Sequence, residues 1–297
     1  MARRDELVVG GSGFLGAHVV AELRRRGGRV VSASRSPGAP AGASADARPD
    51  EAWELDGTRP GAGRTRIEGG AFRTVYLVAA LSRVGDAARD PERALRLNRD
   101  WPAELAAAAA RGGARCVYVS TDLVFGVEAA PAGGFTEAAE PAPLEAYGRS
   151  KAAGEVAVGA ANPAALVARL PLLCGDSFGR GLGAGDSLVA ALERGDDPML
   201  FTDEFRTPLD AAEGARLLVE LAERGPTGPL HVGGPERLSR AELGTRLLAG
   251  RSLPTPRQGT RADLGLAATR AVDTSLASGR LRAWCAALGI APPGPVA

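Results

Sequence analysis

Residue types that build metal centres and disulfide frameworks are scarce in this chain. Its 297 residues include three cysteines, Cys116, Cys174 and Cys285, and two histidines, His18 and His231. An odd number of widely separated cysteines is typical of reduced thiols in a cytosol. The small number of cysteines and histidines argues against a zinc mechanism, so we predict that the protein binds no metal.

Long apolar runs and an excess of charge of one sign are also absent. No apolar run reaches the roughly 18 residues that a membrane-spanning helix needs. Residues 1–6 lead into a strand pattern rather than into the apolar region of a signal peptide. The formal net charge of +1 does not favour nucleic acid or a membrane surface as a partner. We therefore expect a cytoplasmic protein with no nucleic-acid or membrane partner.

The most informative stretch that is present is a glycine-rich turn near the N-terminus. A short apolar run over residues 7–9 is followed by glycines spaced three apart and then by apolar residues at helical spacing. This pattern is typical of a strand, a tight turn and a helix that bind a dinucleotide, because the glycines let a pyrophosphate approach the backbone. The chain holds 40 glycines, so chance also produces such triplets, and the position after the first strand is what favours the cofactor. The residues predicted to bind the pyrophosphate are Gly10, Gly13, Phe14, Leu15 and Gly16.

The alternation of strand and helix patterns in the first half of the chain predicts the fold. Such alternation implies a parallel sheet with helices on both faces. We predict an α/β fold with a Rossmann-type, doubly wound parallel sheet in residues 1–170. Residues 171–297 lack the regular alternation and are predicted to form mainly a smaller substrate-binding lobe, with about residues 200–235 returning to the core.

The end of the second predicted strand, residues 29–33, indicates which dinucleotide is bound. An NAD site usually has an acidic residue here that binds the ribose 2′-hydroxyl. This chain has Ser34, Arg35 and Ser36 instead. An arginine between two serines suits a 2′-phosphate, so NADP(H) is the predicted cofactor. The alternative is that Arg35 is only a loop cation.

Later strands end at further candidate cofactor residues. Asp56 follows a short predicted strand and is a candidate to bind the adenine. Ala79 and Ala80 end a buried strand, where small residues let a cofactor lie close. The helix predicted over residues 91–111 contains Asn98, which either is solvated or holds a water molecule near the site.

A hydroxyl pair and a tyrosine–lysine pair supply candidate chemistry. The strand over residues 115–120 runs into a Ser-Thr pair that ends at Thr121, and open α/β sheets bind ligands at such carboxyl ends. Tyr147 and Lys151 lie one turn apart on a predicted helix. We expect the ammonium group to lower the pKa of the phenol towards the working pH. A Tyr-x-x-x-Lys pattern alone is weak because chance often produces it.

Taken together, the glycine turn, the Ser-Thr pair and the Tyr-x-x-x-Lys pair resemble the short-chain dehydrogenase/reductase superfamily in order and spacing. The stretches VSTDLVF (119–125), YGRSKAAGE (147–155), RLPLLCG (169–175) and DEFRTPLD (203–210) are similar to its extended, sugar-nucleotide branch. The nearest resemblance is to the dTDP-4-dehydrorhamnose reductase-like group, over about residues 6–245. It implies an NADP-dependent enzyme that reduces a ketone, in particular a nucleotide-linked 4-keto-6-deoxy sugar.

The resemblance also implies roles for single residues. Tyr147 would be the proton donor, and Thr121 would hydrogen-bond the reacting carbonyl oxygen. Lys151 would bind the nicotinamide ribose and tune the tyrosine. Pro171, which with Arg169 is expected to follow the sixth strand, would face the nicotinamide. The residues expected to bind substrate are Leu81, Thr121, Leu123, Phe178, Arg180 and Arg206.

Three of these substrate contacts have a structural alternative. Phe178 and Arg180 belong to a glycine-rich loop, and loops like it cover the substrate in the resembling group, but a surface loop with no role fits the sequence equally. Arg206 could bind a substrate phosphate, because guanidinium groups match phosphate geometry. It could also tie its loop to an acidic neighbour.

Several related functions stay open on the sequence. An epimerase or dehydratase of the same branch would favour tightly held NAD and an acidic residue where Arg35 stands. A reductase of another natural-product ketone and a non-catalytic NADP-binding regulatory subunit share the scaffold. The expected partner is a small molecule, a nucleotide sugar, and a homodimer through helices that flank the sheet is a family-level expectation.

Overall fold

The computed structural model describes residues 4–296, so residues 1–3 of the segment predicted to lead into the first strand lie outside the described range. Thirteen strands occur in this range, most of the later ones short. In chain order they are β1 (Asp5–Val9), β2 (Val30–Ser34), β3 (Glu51–Glu54), β4 (Phe72–Leu77), β5 (Arg115–Thr121), β6 (Leu166–Leu170), β7 (Leu173–Cys174), β8 (Met199–Phe201), β9 (Phe205–Arg206), β10 (Leu209–Asp210), β11 (Gly228–His231), β12 (Leu238–Ser239) and β13 (Arg257–Gly259).

Ten α-helices connect or flank these strands within the same range. They are α1 (Phe14–Arg25), α2 (Arg64–Gly69), α3 (Val84–Arg89), α4 (Pro91–Leu95), α5 (Trp101–Arg111), α6 (Ala146–Ala161), α7 (Gly183–Glu193), α8 (Ala211–Arg224), α9 (Arg240–Leu247) and α10 (Gly279–Leu288). None of the helices between residues 4 and 296 is both long and apolar enough to span a bilayer.

Seven of the strands form one parallel sheet in the order β11-β6-β5-β4-β1-β2-β3. The order reverses at β1, since β2 and β3 lie on one side of it and β4, β5 and β6 on the other. Doubly wound sheets bind ligands outside the carboxyl ends of their strands at such a reversal. The predicted fold class, a Rossmann-type sheet, is confirmed.

Helices cover both faces of this sheet, which explains why its strands are almost continuously apolar. On one face, α1 packs against α8, where Val19 and Leu23 join Leu217 and Leu221 in a fully buried cluster. On the other face, α5 and α6 pack against the sheet around Leu105. The carboxyl ends of the strands are thereby held rigidly at one edge.

The helix predicted over residues 91–111 is divided in the structure. Between α4 and α5 the residues Arg96–Asp100 form a π-helical turn. Pro102 lies in the first turn of α5, directly after the π turn, and its ring nitrogen cannot donate to the carbonyl of Asn98. That carbonyl accepts a 2.6 Å hydrogen bond from the hydroxyl of Tyr118 instead.

The C-terminal part of the chain contributes to two regions. Helix α8 and strand β11 belong to the core, because β11 pairs in parallel with β6. The remainder contains three small sheets of two strands each, which are β10 with β7, β12 with β9 and β13 with β8. These small sheets, with α7 and α9, lie beyond the end of β6.

Candidate functional site

The glycine-rich turn has the geometry that a bound phosphate needs. Gly10 has a φ of +95°, a conformation that side chains rarely tolerate, and its carbonyl accepts a 2.8 Å hydrogen bond from Gly13 N. A Cβ atom on Gly16 would collide with that same carbonyl. Helix α1 follows with Gly13 at its N-cap and without a capping side chain. Its first N–H groups are thus available to an anion.

A cleft of ≈ 780 Å³ runs from this turn along the carboxyl edge of the sheet. It has the glycine turn and the ends of β2 and β3 at one end and the ends of β5 and β6 at the other. Fourteen of the predicted site residues line it together, namely Gly10, Gly13, Phe14, Leu15, Gly16, Ser34, Arg35, Asp56, Ala79, Ala80, Leu81, Thr121, Tyr147 and Pro171.

The end of the cleft near β2 is polar and positively charged. Ser34 Oγ accepts a 3.2 Å hydrogen bond from Ser12 N, which fixes the serine against the glycine turn. Arg35 is exposed beside it. Hydrogen bonds from Thr58 lower the pKa of Asp56, and the charges of Arg59 and Arg35 lower it further. Arg35 is therefore close to Asp56 but free enough to meet a second anion.

The other end of the cleft contains the Ser-Thr pair. Thr121 is the last residue of β5, and a 3-10 turn, Asp122–Val124, follows it. The Thr121 hydroxyl accepts from Leu123 N at 3.2 Å and donates to Asp122 Oδ1 at 3.1 Å. Leu123, a predicted substrate contact, is buried in this turn and does not line the cleft.

Arg206, another predicted substrate contact, is engaged inside the protein. Its Nη1 donates to Asp122 Oδ2 at 2.7 Å, and its Nη2 lies 3.8 Å from Glu204. All three side chains are buried. Since carboxylates already surround the guanidinium group, the structure favours the alternative in which Arg206 ties its loop to an acidic neighbour.

Tyr147 and Lys151 lie in the first two turns of α6, but the pKa of Tyr147 is raised and not lowered as expected. Withdrawal from water raises the pKa of Tyr147, the negative charge of Asp122 raises it further, and a hydrogen bond with Thr121 acts in the opposite direction. The Lys151 Nζ lies 3.9 Å from the centre of the Tyr118 ring. The prediction that Lys151 lowers the pKa of Tyr147 is therefore wrong in this structure. The phenol is held protonated.

Asn98 is a structural residue of the site, and its solvated alternative is wrong. It is completely buried in the π turn. Its side chain binds the backbone of Leu81 in both directions, at 2.9 and 3.2 Å, and donates to Ser150 Oγ at 2.9 Å. It thus links the end of β4 to α6. A π turn often occurs at functional sites, but sequence periodicity does not reveal one.

The loop that contains Phe178 and Arg180 lies against the glycine turn rather than beside Tyr147. The Phe178 ring lies 4.9 Å from that of His18 on α1. Arg180 Nη1 donates to Ser12 O at 2.6 Å. Neither residue lines the cleft. The expectation that this loop covers substrate near the reacting groups does not match their positions.

A buried polar network, which sequence reasoning missed, lies behind the reacting groups. Glu155 on α6 accepts from Ser120 Oγ at 2.6 Å and from Nε and Nη2 of Arg169 at 2.6 to 3.1 Å. Arg169 Nη1 is 3.2 Å from His231 Nε2. Arg169 lies within β6, not after it as expected. The available signal was the position of Glu155, one helical turn after Lys151.

Burial decides the charge states of this network and of its neighbour. It lowers the pKa of Lys151 to about 7, with the charge of Glu155 acting in the opposite direction. It also lowers the pKa of His231 to about 4, so this imidazole is neutral near pH 7. In residues 4–296, no three or more His, Cys, Asp or Glu side chains form a group that could hold a metal ion.

Comparisons with known proteins agree with this geometry. A family model described as the RmlD substrate binding domain matches residues 5–285. The probable low-salt glycan biosynthesis reductase Agl14 of Haloferax volcanii is 31% identical over 245 residues, 81% of this chain and 78% of that protein. The dTDP-4-dehydrorhamnose reductase of Mycobacterium tuberculosis (strain CDC 1551 / Oshkosh) is 32% identical over 242 residues, 77% of this chain and 69% of that protein. The structure of Bacillus anthracis dTDP-4-dehydrorhamnose reductase in complex with NADP superimposes with a TM-score of 0.83 at 20% identity, over 99% of this chain and 95% of that one.

Proposed function

The chain belongs to the RmlD substrate binding domain family, and from that premise we propose that it is an NADPH-dependent reductase of a nucleotide-linked 4-keto-6-deoxy sugar. The resemblance drawn from the sequence motifs is confirmed by this membership. The observation that best supports the activity is a single cleft with a phosphate-binding turn at one end and Thr121 and Tyr147 at the other.

The cofactor fits the residues that are present. The glycine turn and the uncapped start of α1 would hold the diphosphate. A Cβ atom on Gly16 would collide with the Gly10 carbonyl and disturb this turn. Ser34 and Arg35 would bind the 2′-phosphate. Arg180 adds positive charge next to the turn. Its guanidinium donates to two backbone carbonyl groups, which are uncharged, and its Nη2 is buried without a partner.

Further along the cleft, small and apolar residues would lie against the cofactor. Asp56 would bind the adenine, and Ala79, Ala80 and Pro171 would contact the nicotinamide half. Lys151 is buried over the Tyr118 ring and does not line the cleft in this structure, so its side chain would have to turn towards the cleft to bind the nicotinamide ribose. When bound, NADPH supplies the hydride for the carbonyl carbon.

Tyr147 and Thr121 would act on the carbonyl oxygen. Because its pKa is raised, Tyr147 holds its proton until negative charge develops on that oxygen and then donates it. The Thr121 hydroxyl donates to Asp122 in this structure, so it would turn towards the substrate to stabilise the same oxygen.

The substrate contacts are revised by the positions described above. Leu81 and Thr121 line the cleft and are kept as proposed contacts. Leu123 and Arg206 would act indirectly, by shaping the turn after β5. We propose that residues 171–297 form mainly a substrate lobe, apart from α8 and β11, which join the core.

Two alternatives are less well supported by the chain. A dehydratase or epimerase would need a cofactor that is recycled, and Arg35 at the end of β2 favours exchangeable NADPH over NAD. A regulatory NADP-binding subunit would not need reacting hydroxyl groups at the cleft, yet those of Thr121 and Tyr147 are both present there. A cytoplasmic location, a homodimer and the absence of a nucleic-acid partner are further proposals.

The proposal is tested by following NADPH oxidation with a dTDP-4-keto-6-deoxy sugar, without sugar, and with NADH in place of NADPH. We expect oxidation that requires the sugar and is faster with NADPH. NADPH binding without oxidation would overturn the activity for this sugar class, and reduction of a different ketone would redirect it. Failure to bind NADPH would overturn the cofactor assignment.

A further inference from the structure

Glu155 connects the two elements that carry the reacting groups. Its carboxylate binds Ser120, the residue before Thr121 on β5. Its own helix carries Tyr147 and Lys151. Arg169 of β6 pairs with it at 2.6 Å, and both side chains are less than one-tenth exposed. A buried carboxylate is tolerated only with such a partner.

Lys151 has few groups that could stabilise its charge. It is 1% exposed and sits over the Tyr118 ring, which supplies a cation–π contact. The hydroxyl of Tyr118 keeps its proton, which it donates to Asn98 O at 2.6 Å, so Tyr118 is a neutral phenol and not a counter-ion for Lys151. The titratable groups at this position are Tyr118 of β5 at 3.9 Å and Tyr147 and Glu155 of the same helix. Glu155 in turn pairs with Arg169 of β6, and Arg169 contacts His231 of β11.

Among these groups, Glu155 is the one placed to favour the ammonium form. It follows Lys151 by four residues on the same helix, so the two side chains lie on one face. The charge of Asp122 raises the pKa of Tyr147. Arg169 pairs with the Glu155 carboxylate, and His231 contacts Arg169. Removing the charge of Glu155 would leave Lys151 buried with only an aromatic face for stabilisation.

We propose that Glu155 is a positioning residue that keeps the buried Lys151 charged behind the cleft and fixes the end of β5 through Ser120. This inference rests on the proposed reductase function. Arg169 takes part by balancing the carboxylate, and neutral His231 completes the contacts of Arg169. The network thus couples the strand with the hydroxyl pair to the helix with the proton donor.

The test is the pH profile of kcat in wild type and in Glu155→Gln. Activity needs charged Lys151, so kcat falls as the pH rises through the pKa of that ammonium. Glu155→Gln keeps the shape of the side chain but removes its charge. The falling limb should then move to lower pH by about one unit, so that kcat is about tenfold below that of wild type at pH values above both pKa values.

Controls separate this charge effect from damage to the fold. Glu155→Asp keeps the charge and should restore the position of the limb even if the maximal kcat falls. Glu220→Gln removes a carboxylate that pairs with Arg26 on α1, and it should not move the limb. If Glu155→Gln does not fold, the pair Glu155→Gln with Arg169→Met removes both buried charges and should fold, with a smaller shift of the limb because the Arg169 cation no longer opposes the Lys151 ammonium.

Binding of NADPH gives a second readout that does not need turnover. The dissociation constant, measured by nicotinamide fluorescence, should rise with pH as Lys151 loses its charge, and earlier in Glu155→Gln. If the limb of the folded Glu155→Gln protein, alone or paired with Arg169→Met, coincides with that of wild type, the inference is overturned while the reductase function stands. Absence of NADPH binding in wild type would instead overturn the proposed function.

Discussion

The central sheet and the C-terminal lobe are held together by different interactions. In the core, Leu166 and Leu217 are completely buried among other apolar side chains. In the lobe, the small sheets have strands of two or three residues, and arginines such as Arg261 and Arg270 bind carboxylates from distant loops. The core therefore depends mainly on packing volume, whereas in the lobe charge pairs with distant loops add to two small apolar clusters.

The largest stability effect should come from the buried ion pair that joins the lobe to the end of β5. Arg206→Ala leaves the Asp122 carboxylate buried without its cation, and breaking such a pair costs about 3–5 kcal/mol. Urea unfolding gives the free energy. The control is Arg246→Ala, because Arg246 pairs with Glu236 at the surface, where pairs contribute little. Equal effects of the two substitutions would remove the distinction between buried and exposed pairs.

A slightly smaller range is expected for the core. Leu217→Ala opens a cavity in the cluster between α1 and α8 and should destabilise the protein by about 2–5 kcal/mol. Leu264 is 49% exposed in the lobe, and Leu264→Ala is the matched control with little expected change. Raising the salt concentration should not alter the loss at Leu217. A strongly salt-dependent loss there would contradict a packing-based core.

The carboxyl edge of the core should respond in binding and not in stability. Arg35→Ala should raise the dissociation constant for NADPH about tenfold, since a charged hydrogen bond to the 2′-phosphate is lost. NADH has no such phosphate and should bind the variant as before. Arg48→Ala removes another exposed arginine outside the cleft lining and is the control. An equal loss for NADPH and NADH would show that Arg35 does not read the phosphate.

The smallest effect is expected at the opposite edge of the same sheet. Burial raises the pKa of Glu6 above its usual 4.5, and pairing with Arg73 only partly opposes this shift. The folded state then favours the protonated acid, so this contribution is complete below pH 4.5 and is lost as the pH rises through the raised value. The neutral variant Glu6→Gln should lack this dependence.

Urea unfolding of wild type and Glu6→Gln across the acid range measures that difference. The unfolding free energy of the variant should gain on that of wild type as the pH rises from 4.5. A change of the opposite sign would mean that the pairing with Arg73 outweighs burial.

The features that the sequence predicted depend on local patterns. The glycine turn, the Ser-Thr pair at Thr121 and the helix with Tyr147 each follow from residues close together in the chain. The features it did not predict depend on distant partners. Arg206 meets Asp122 from 84 residues away, and the raised pKa of Tyr147 depends on burial that only the folded cleft creates.

The loop with Arg180 shows the same limit. Its glycines indicate a loop, but its place against Ser12 depends on how the lobe packs on the core, 168 residues away in sequence. The π turn at Asn98 is missed for another reason. The apolar residues of the π turn continue the spacing of the flanking helices, so the sequence pattern predicts a single helix.

Tyr147 is proposed to donate the proton, whereas the cleft is proposed to bind NADPH whether or not the Tyr147 hydroxyl is present. The most direct test compares wild type with Tyr147→Phe, measuring NADPH oxidation with a dTDP-4-keto-6-deoxy sugar alongside NADPH binding. We expect kcat of the variant to fall about 10²–10⁴-fold, because general acid catalysis is lost, while NADPH binding changes little. Full turnover by Tyr147→Phe would contradict it.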